Sequence, residues 1–500
     1  MKKRKTVLLL IFALTLLASA ANGGQTEIRI LHVNDFHGFA EPYKPMGSDE
    51  WYGGIAYLAA RVRDLRKEKA SLLVAAGDMI QGNNWANFFE GRSVIELMNL
   101  VGFDAMVAGN HEFDFGQEVL RKRISEANFP VLGANVEGRT GLQPYVIRNL
   151  NGVKVAIIGV VTEEAPVTTS PRNVAGLKFF SPADTVEKWV RELKDQADVV
   201  IVLSHIGHQA DRLLAENVPG VDVIVGGHSH TKVKKPVSIG NVIIVQAWEH
   251  AKALGVLDLT VEDGKVAKFD GYLDEVKPQA GKSEGKVEAI VEAYRGKLEG
   301  ILSERVGEAE VDLDGENVRR RETNLGNLIS DIIRKKSGAD TAMINGGGIR
   351  ASLRKGDLKV KDVYSVLPFD TYIVAIELTG RQIREALEHG VSGVEEDQGR
   401  FPQVSGIAFK YFLSEKKGSR VREVLIGGEP IDLNKTYRVA INDFLAAGGD
   451  GYKVFAEVAT EGEKVVYNDS GRWLRDVVIE YLREVKQVHA KVEGRIIEVR

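Results

Sequence analysis

Five short apolar runs, each closing on a polar residue of a kind that binds metal, constrain this chain more than anything else in it. Glu27 to Val33 alternates like a strand and leads to Asp35-Phe36-His37. Ser71 to Ala76 runs into Gly77-Asp78, and Asp104 to Ala108 into Gly109-Asn110-His111-Glu112-Phe113-Asp114. Asp198 to Leu203 runs into Ser204-His205, and Val221 to Val225 into Gly227-His228-Ser229-His230. Each run has the length and apolar character of a strand. Between them, Ile55 to Lys69 and Ala183 to Lys194 carry helical patterns. Alternating strand and helix predicts an α/β fold with a mostly parallel sheet, whose ligands bind beyond the carboxyl ends of its strands. The motifs are therefore expected to converge, although nearly two hundred positions separate the first from the last.

What would converge is two Asp, one Asn and four His, with His111 left over for chemistry. Hard or borderline divalent cations take carboxylate, imidazole and amide oxygen, and two of them about 3.5–4 Å apart clamp both ends of an in-line displacement at phosphorus. This is the ligand set of a two-metal phosphoesterase. Of the ten histidines, His37, His111, His205, His228 and His230 lie in the strand-end motifs. His32 and His250 flank them and are candidates to partner the ligands, because a metal-bound imidazole needs a partner on its other nitrogen. His208, His389 and His489 are expected to be solvated.

Length alone suggests about three domains, but a large α/β unit takes more than the usual share. The 44% hydrophobic content supplies ample core. The net charge is −4 with the signs interleaved, so no basic field recruits a nucleic acid polymer. An anionic substrate must be attracted locally, by metals and a few arginines. The chain has no cysteine, which excludes disulfides, thiolate metal sites and lipid attachment through cysteine. Residues 1–20 read as a secretory signal: Lys2-Lys3-Arg4-Lys5, an apolar stretch from Val7 to Leu17, then Ala18-Ser19-Ala20. That stretch is short for a membrane span, which needs about 20 residues. No hydrophobic tail follows Val492-Glu493-Gly494-Arg495, so no stable membrane anchor is expected. The expected location is secreted, periplasmic or extracellular.

A boundary follows the strand-like run Val256 to Val261. The chain turns polar around Pro278 to Gly285, then helical from Val287 to about Ser303, with Arg295-Gly296 in the middle. A helix that is polar on most sides suits an inter-domain connector. The expected division is 27–285, a connector at 286–314, and a smaller α+β domain at 315–500. That domain is expected to mix strands at Asp340–Ile344, Thr371–Leu378 and Tyr437–Ile441 with helices at Asn324–Lys336, Arg381–His389 and Gly471–Glu484. In Asn345-Gly346-Gly347-Gly348-Ile349-Arg350, the glycines allow close backbone approach and Arg350 can clamp an anion. Phe369, in Leu367-Pro368-Phe369, and Phe444, in the run Asn442 to Tyr452 with its Gly-rich turn, can stack on a flat base. Ordinary turns with Phe444 in the core explain the same letters.

From Glu27 to the C-terminus the chain resembles the 5′-nucleotidase family, of the bacterial periplasmic UDP-sugar hydrolase and ecto-5′-nucleotidase type. The resemblance rests on Gly-Asn-His-Glu-Phe-Asp together with Asn-Gly-Gly-Gly-Ile-Arg, Leu-Pro-Phe and Phe-Leu-Ala-Ala-Gly-Gly-Asp-Gly. It implies a calcineurin-like two-metal domain, with sheets flanked by helices, joined by a helix to a substrate-binding domain. It implies that Asp35, His37, Asp78 and His230 hold one divalent ion, and Asp78, Asn110, His205 and His228 the other. Zinc and manganese are the expected kinds. His111 and Asp114 match the catalytic pair, and Arg319 and Arg350 match the arginines that bind substrate. Asn345 matches the residue facing base or ribose, Phe369 and Phe444 the base-stacking pair, and Asp450 the ribose-binding carboxylate. One position departs: several relatives carry Gln or Asn where this chain has His230, a change that favours zinc-like ions. The implied activity is hydrolysis of nucleoside 5′-monophosphates by a metal-held water, with di- and triphosphates and UDP-sugars left open. A 2′,3′-cyclic nucleotide phosphodiesterase with 3′-nucleotidase activity and a non-catalytic metal-bearing surface protein are the alternatives. The resemblance leaves the oligomeric state open.

Overall fold

The metal-type motifs do sit at strand ends, but the strands belong to two sheets, not one. The computed structural model describes residues 25–499 except 46–47, 170 and 470–471. The expected signal segment, and Gly471 at the expected start of the last helix, lie outside the described residues. The strands that carry the motifs are β1 (Thr26–Val33), β2 (Ser71–Ala75), β3 (Ala105–Val107), β4 (Val199–His205) and β5 (Val223–Gly226), and β6 (Ala253–Glu262) pairs beside β1. One six-stranded sheet runs Lys265–Glu275, β6, β1, β2, β3, Val131–Leu132. The other runs Val237–Ile239, Val242–Val245, β5, β4, Val153–Val161, Tyr145–Leu150. Each has a parallel centre, as alternating strand and helix predicts; antiparallel pairs close one edge of the first sheet and both edges of the second.

Period-two alternation layers the first domain. In β4, Val199, Ile201 and Leu203 point into the core shared with the first sheet. Val200 and Val202 point the other way, onto Val186, Val190 and Leu193 of helix Pro182–Leu193 and Leu214 of helix His208–Asn217. Burying each such side chain contributes roughly 1.5–3 kcal/mol. Helix Pro182–Leu193 starts where Ser181 accepts from the Asp184 amide and proline occupies the first turn. The strand ends of both sheets open on the same side.

Helix Gly285–Leu302 is less polar than its composition suggests. Val287, Val291 and Tyr294 join the core of the first domain, while Leu298 and Leu302 join the core of the second. Spacings of three and four put all five on one stripe, so the helix stitches two cores together. Tyr294 Oη donates to Glu96 at 2.6 Å, and Arg295 Nε donates to Glu41 at 2.6 Å. Beyond it, Arg305–Ala309 pairs with Gly356–Lys359 and Gln487–Val488. A five-stranded sheet follows in the order Pro402–Ser405, Thr341–Asn345, Thr436–Asn442, Ile373–Thr379, Val465–Asn468. The fold is α/β overall, with a mostly antiparallel sheet in the second domain as an α+β unit has, and no helix among the described residues is long and apolar enough to cross a membrane.

Candidate metal centre and substrate cleft

Seven strand-end side chains meet in one cluster, five of them buried and His228 and His230 half-buried. Ligand atoms of Asp35, His37 and His230 lie within 4.8 Å of one another, and so do those of Asp78, His205 and His228. Asp78 Oδ2 is 3.1 Å from His205 Nε2 and 3.9 Å from His37 Nε2, so its carboxylate stands between the two groups. Asn110 is buried beside them, and its Oδ1 has no hydrogen-bond partner. Glycine is required where these loops touch: a Cβ at Gly109 would lie 2.3 Å from Asp78 Oδ1, and one at Gly77 would lie 2.4 Å from His205 Nδ1.

The hydrogen bonds decide which ring nitrogens are free. His37 Nδ1 bonds the Gln81 carbonyl at 2.9 Å and His205 Nδ1 bonds that of Ala76 at 2.7 Å. A carbonyl only accepts, so both rings carry the proton on Nδ1 and turn Nε2 inward. His37 Nε2 lies 3.2 Å from His230 Nε2, and His205 Nε2 is buried against the Asp78 carboxylate. Facing nitrogens and carboxylates in a largely buried cluster call for cations, and the donor set of imidazole, carboxylate and amide oxygen suits divalent ones. The residues present therefore fit two divalent ions. In the ion-free chain a proton takes the cation's place on His205: burial alone would lower this imidazole, but the Asp78 carboxylate overrides it and pushes it up to about 10. Burial takes His228 the other way, down to about 3.

Glu112 holds the scaffold. Its buried carboxylate accepts the amides of Asp78 at 2.8 Å, Met79 at 2.7 Å, Ile80 at 3.2 Å and Gly109 at 2.5 Å, tying the end of β2 to the end of β3. His111 follows Asn110 but points past the ligands. Its Nδ1 bonds Asp114 Oδ2 at 2.7 Å, and Thr169 holds the other Asp114 oxygen. His111 Nε2 is 4.0 Å from Asp78 Oδ2, and the ring lines the cleft.

That cleft, about 2000 Å³, has His111, Asn110 and His228 on one wall. Arg319, Asn345, Arg350, Phe369, Phe444 and Asp450 line the other. Phe369 lies 5.7 Å from the His111 ring, and Arg350 Nη2 reaches within 3.3 Å of His37 Nε2. Burial and the neighbouring Arg319 lower Arg350 to about 10. Asn345 Nδ2 donates to Asp450 Oδ2 at 2.6 Å, and Asn442 Nδ2 donates to Asn345 Oδ1 at 3.2 Å. Phe444 covers Gly449 and packs partly on a separate core cluster of the second domain that includes Ile441, Leu445 and Phe455.

The flanking histidines divide. His250 donates its amide to Asp35 O at 2.8 Å, stacks on Phe39 and bonds Tyr43 Oη at 2.8 Å. His32 is buried inside β1 against Gly255, with Nδ1 unpartnered. His389, expected to be solvated, is half-buried instead: Nε2 bonds the Asp450 carbonyl at 2.8 Å. His208 is half-buried too, with its Nδ1 unpartnered. His489 is exposed beside Glu310. Two site residues escaped the sequence reading, Glu112 and Glu249, the latter bonded to His230 Nδ1. Glu249 follows the apolar run Val242–Val245, a sixth strand end that the same logic would have marked.

The calcineurin-like phosphoesterase family profile matches residues 28–232, and that of the 5′-nucleotidase C-terminal domain matches residues 305–457. The chain is 35% identical, over 95% of its length, to the trifunctional nucleotide phosphoesterase protein YfkN of Bacillus subtilis, but spans only 35% of that protein. It is 33% identical to the snake venom 5′-nucleotidase of Crotalus adamanteus, over 96% of this chain and 90% of that one. The crystal structure of a 5′-nucleotidase precursor from Thermus thermophilus superposes with a TM-score of 0.88 at 35% identity, covering 95% of this chain and 99% of the other.

Proposed function

The chain belongs to the 5′-nucleotidase family of metal-dependent phosphoesterases, and from that premise we propose that it is an exported enzyme releasing phosphate from nucleoside 5′-monophosphates. One observation carries the reading: two ligand groups, the His111–Asp114 pair and the nucleoside-type residues of the second domain face a single cleft. Asp35, His37, Asp78 and His230 would hold one ion, and Asp78, Asn110, His205 and His228 the other. Bound there, two divalent cations supply Lewis acidity, lowering the pKa of a water and drawing charge from phosphoryl oxygens.

The chain's own residues do the rest. Arg350 and Arg319 supply the positive charge that an overall acidic protein lacks, aimed at the phosphoryl group. Asp114 accepts the His111 Nδ1 proton and fixes the ring, so that a protonated Nε2 donates to the leaving oxygen or to the charge developing beside it. Asn345 and Asp450 read the ribose or base edge, while Phe369 and Phe444 hold the base. Residues 1–20 support export. The test is phosphate release from AMP, ADP, ATP, UDP-glucose, 3′-AMP and 2′,3′-cyclic AMP by the metal-loaded protein against its ion-free form. Highest kcat/KM on AMP is expected. Preference for the cyclic or 3′ substrate would replace the reading with the phosphodiesterase one, and no turnover of any would replace it with a binding protein.

A further inference from the structure

The shape of the segment around Glu249 is costly. Trp248, His250 and Ala251 have φ of 68°, 54° and 54°, a left-handed conformation that costs about 1–2 kcal/mol for a residue with a side chain. The segment is fixed on both sides: Asn34 Nδ2 donates to the Trp248 carbonyl at 2.5 Å, and the His250 amide donates to the Asp35 carbonyl. The result is to aim the Glu249 carboxylate at His230 Nδ1. Lys252, buried and 4.4 Å over the Trp248 ring, bonds the other Glu249 oxygen. His230 Nε2 then faces Asp35 Oδ1 at 3.4 Å and His37 Nε2 at 3.2 Å.

His230 thereby differs from its neighbours. The outer nitrogens of His37 and His205 meet neutral backbone carbonyls, whereas that of His230 meets a carboxylate. A carboxylate on the far side of an imidazole fixes its tautomer and makes the inner nitrogen a stronger donor. Stronger nitrogen donation favours zinc-like ions over manganese-like ones. We propose that Glu249 is a positioning residue that, through His230, sets the affinity of the Asp35–His37–His230 group for its cation and tilts that group towards zinc. The proposal rests on the reading above, in which that group holds one of two ions.

The test is titration of the ion-free full-length chain with zinc and, separately, manganese, followed by calorimetry or a competing chelator. Wild type is expected to take up two ions. Glu249→Gln keeps the shape but removes the charge, and should weaken one zinc constant by about 10–100-fold, leaving the other within about twofold. Manganese should lose less. In a His230→Gln background, Glu249→Gln should have no further effect on either constant, and the ion-free melting temperature should match that of the parent. Unchanged zinc constants in Glu249→Gln, or the same loss without His230, would overturn the proposal and leave the two-ion reading intact. Wild type that binds fewer than two ions would bring down that reading as well.

Discussion

Five of the seven proposed ligands adopt left-handed backbone: Asp35 at φ 50°, His37 at 49°, Asp78 at 53°, His228 at 74° and His230 at 52°. Such conformations persist only where the surroundings over-determine them, and they cluster at functional sites. Their roles separate by substitution. Asp78→Asn should abolish turnover and lower ion content measured by elemental analysis, because that carboxylate stands between both groups. Near-normal activity with two ions bound would contradict its bridging role. His111→Ala should instead cut kcat by about 10²–10⁴-fold, with ion stoichiometry and KM little changed. Loss of an ion in this variant would make His111 a ligand. The ligand types were legible in the sequence, because each follows an apolar run. Glu112 was not, because what defines it is the amides it accepts from once the chain is folded; Glu249 follows an apolar run of the same kind, but at a distance from its end that only the folded loop closes onto His230.

Helix His208–Asn217 carries a buried carboxylate into the back of the metal loops. Asp211 accepts from Ser204 Oγ at 2.5 Å, its other oxygen has no partner, and Gly226 leaves it just enough room. Burial pushes this carboxyl from 3.8 up to about 7. The folded chain therefore holds the proton more tightly than the unfolded one. The stability this group contributes is full below about pH 4 and is lost as pH rises through about 7. Asp211→Asn cannot ionise, so the stability of wild type relative to this variant should fall between about pH 4 and pH 7, and level off above that, in urea unfolding of ion-free protein. A flat difference would show that Asp211 ionises freely in the fold. Helices such as Ile55–Glu68, Pro182–Leu193 and Asn324–Ser337 were legible to within a few residues, since caps and periodicity are local, whereas His208–Asn217 was not marked. The split into two sheets was not, because an apolar run does not record which neighbour it will pair with.

At the scale of the molecule, the cleft has one wall from each domain. Phe369 touches His111 and Arg350 touches His37, while Asn87 Nδ2 donates to the Pro368 carbonyl at 2.8 Å across the gap. Base stacking is worth about 1–3 kcal/mol per aromatic, so Phe444→Ala should raise KM for AMP by roughly one to two orders of magnitude. A small aryl phosphate should be hydrolysed almost as before. Equal losses on both substrates, with a lower melting temperature, would make Phe444 a packing residue of the cluster around Ile441 and Leu445 instead. Both walls could be named from the sequence, but their facing one another could not, because it depends on the stripe by which one helix joins two cores. The pairing of β1 also governs how the protein is made. Thr26 lies opposite Val261, so the strand that leads to Asp35 and His37 has its partner on one side supplied more than two hundred residues later. A ribosome adding roughly 5–20 residues per second leaves that edge waiting for ten seconds or longer. The metal centre, although drawn mostly from the early part of the chain, gains the β6 edge of its sheet only late, so a nascent chain stopped between His230 and Ala253 carries every one of its proposed ligands without the strand that flanks β1.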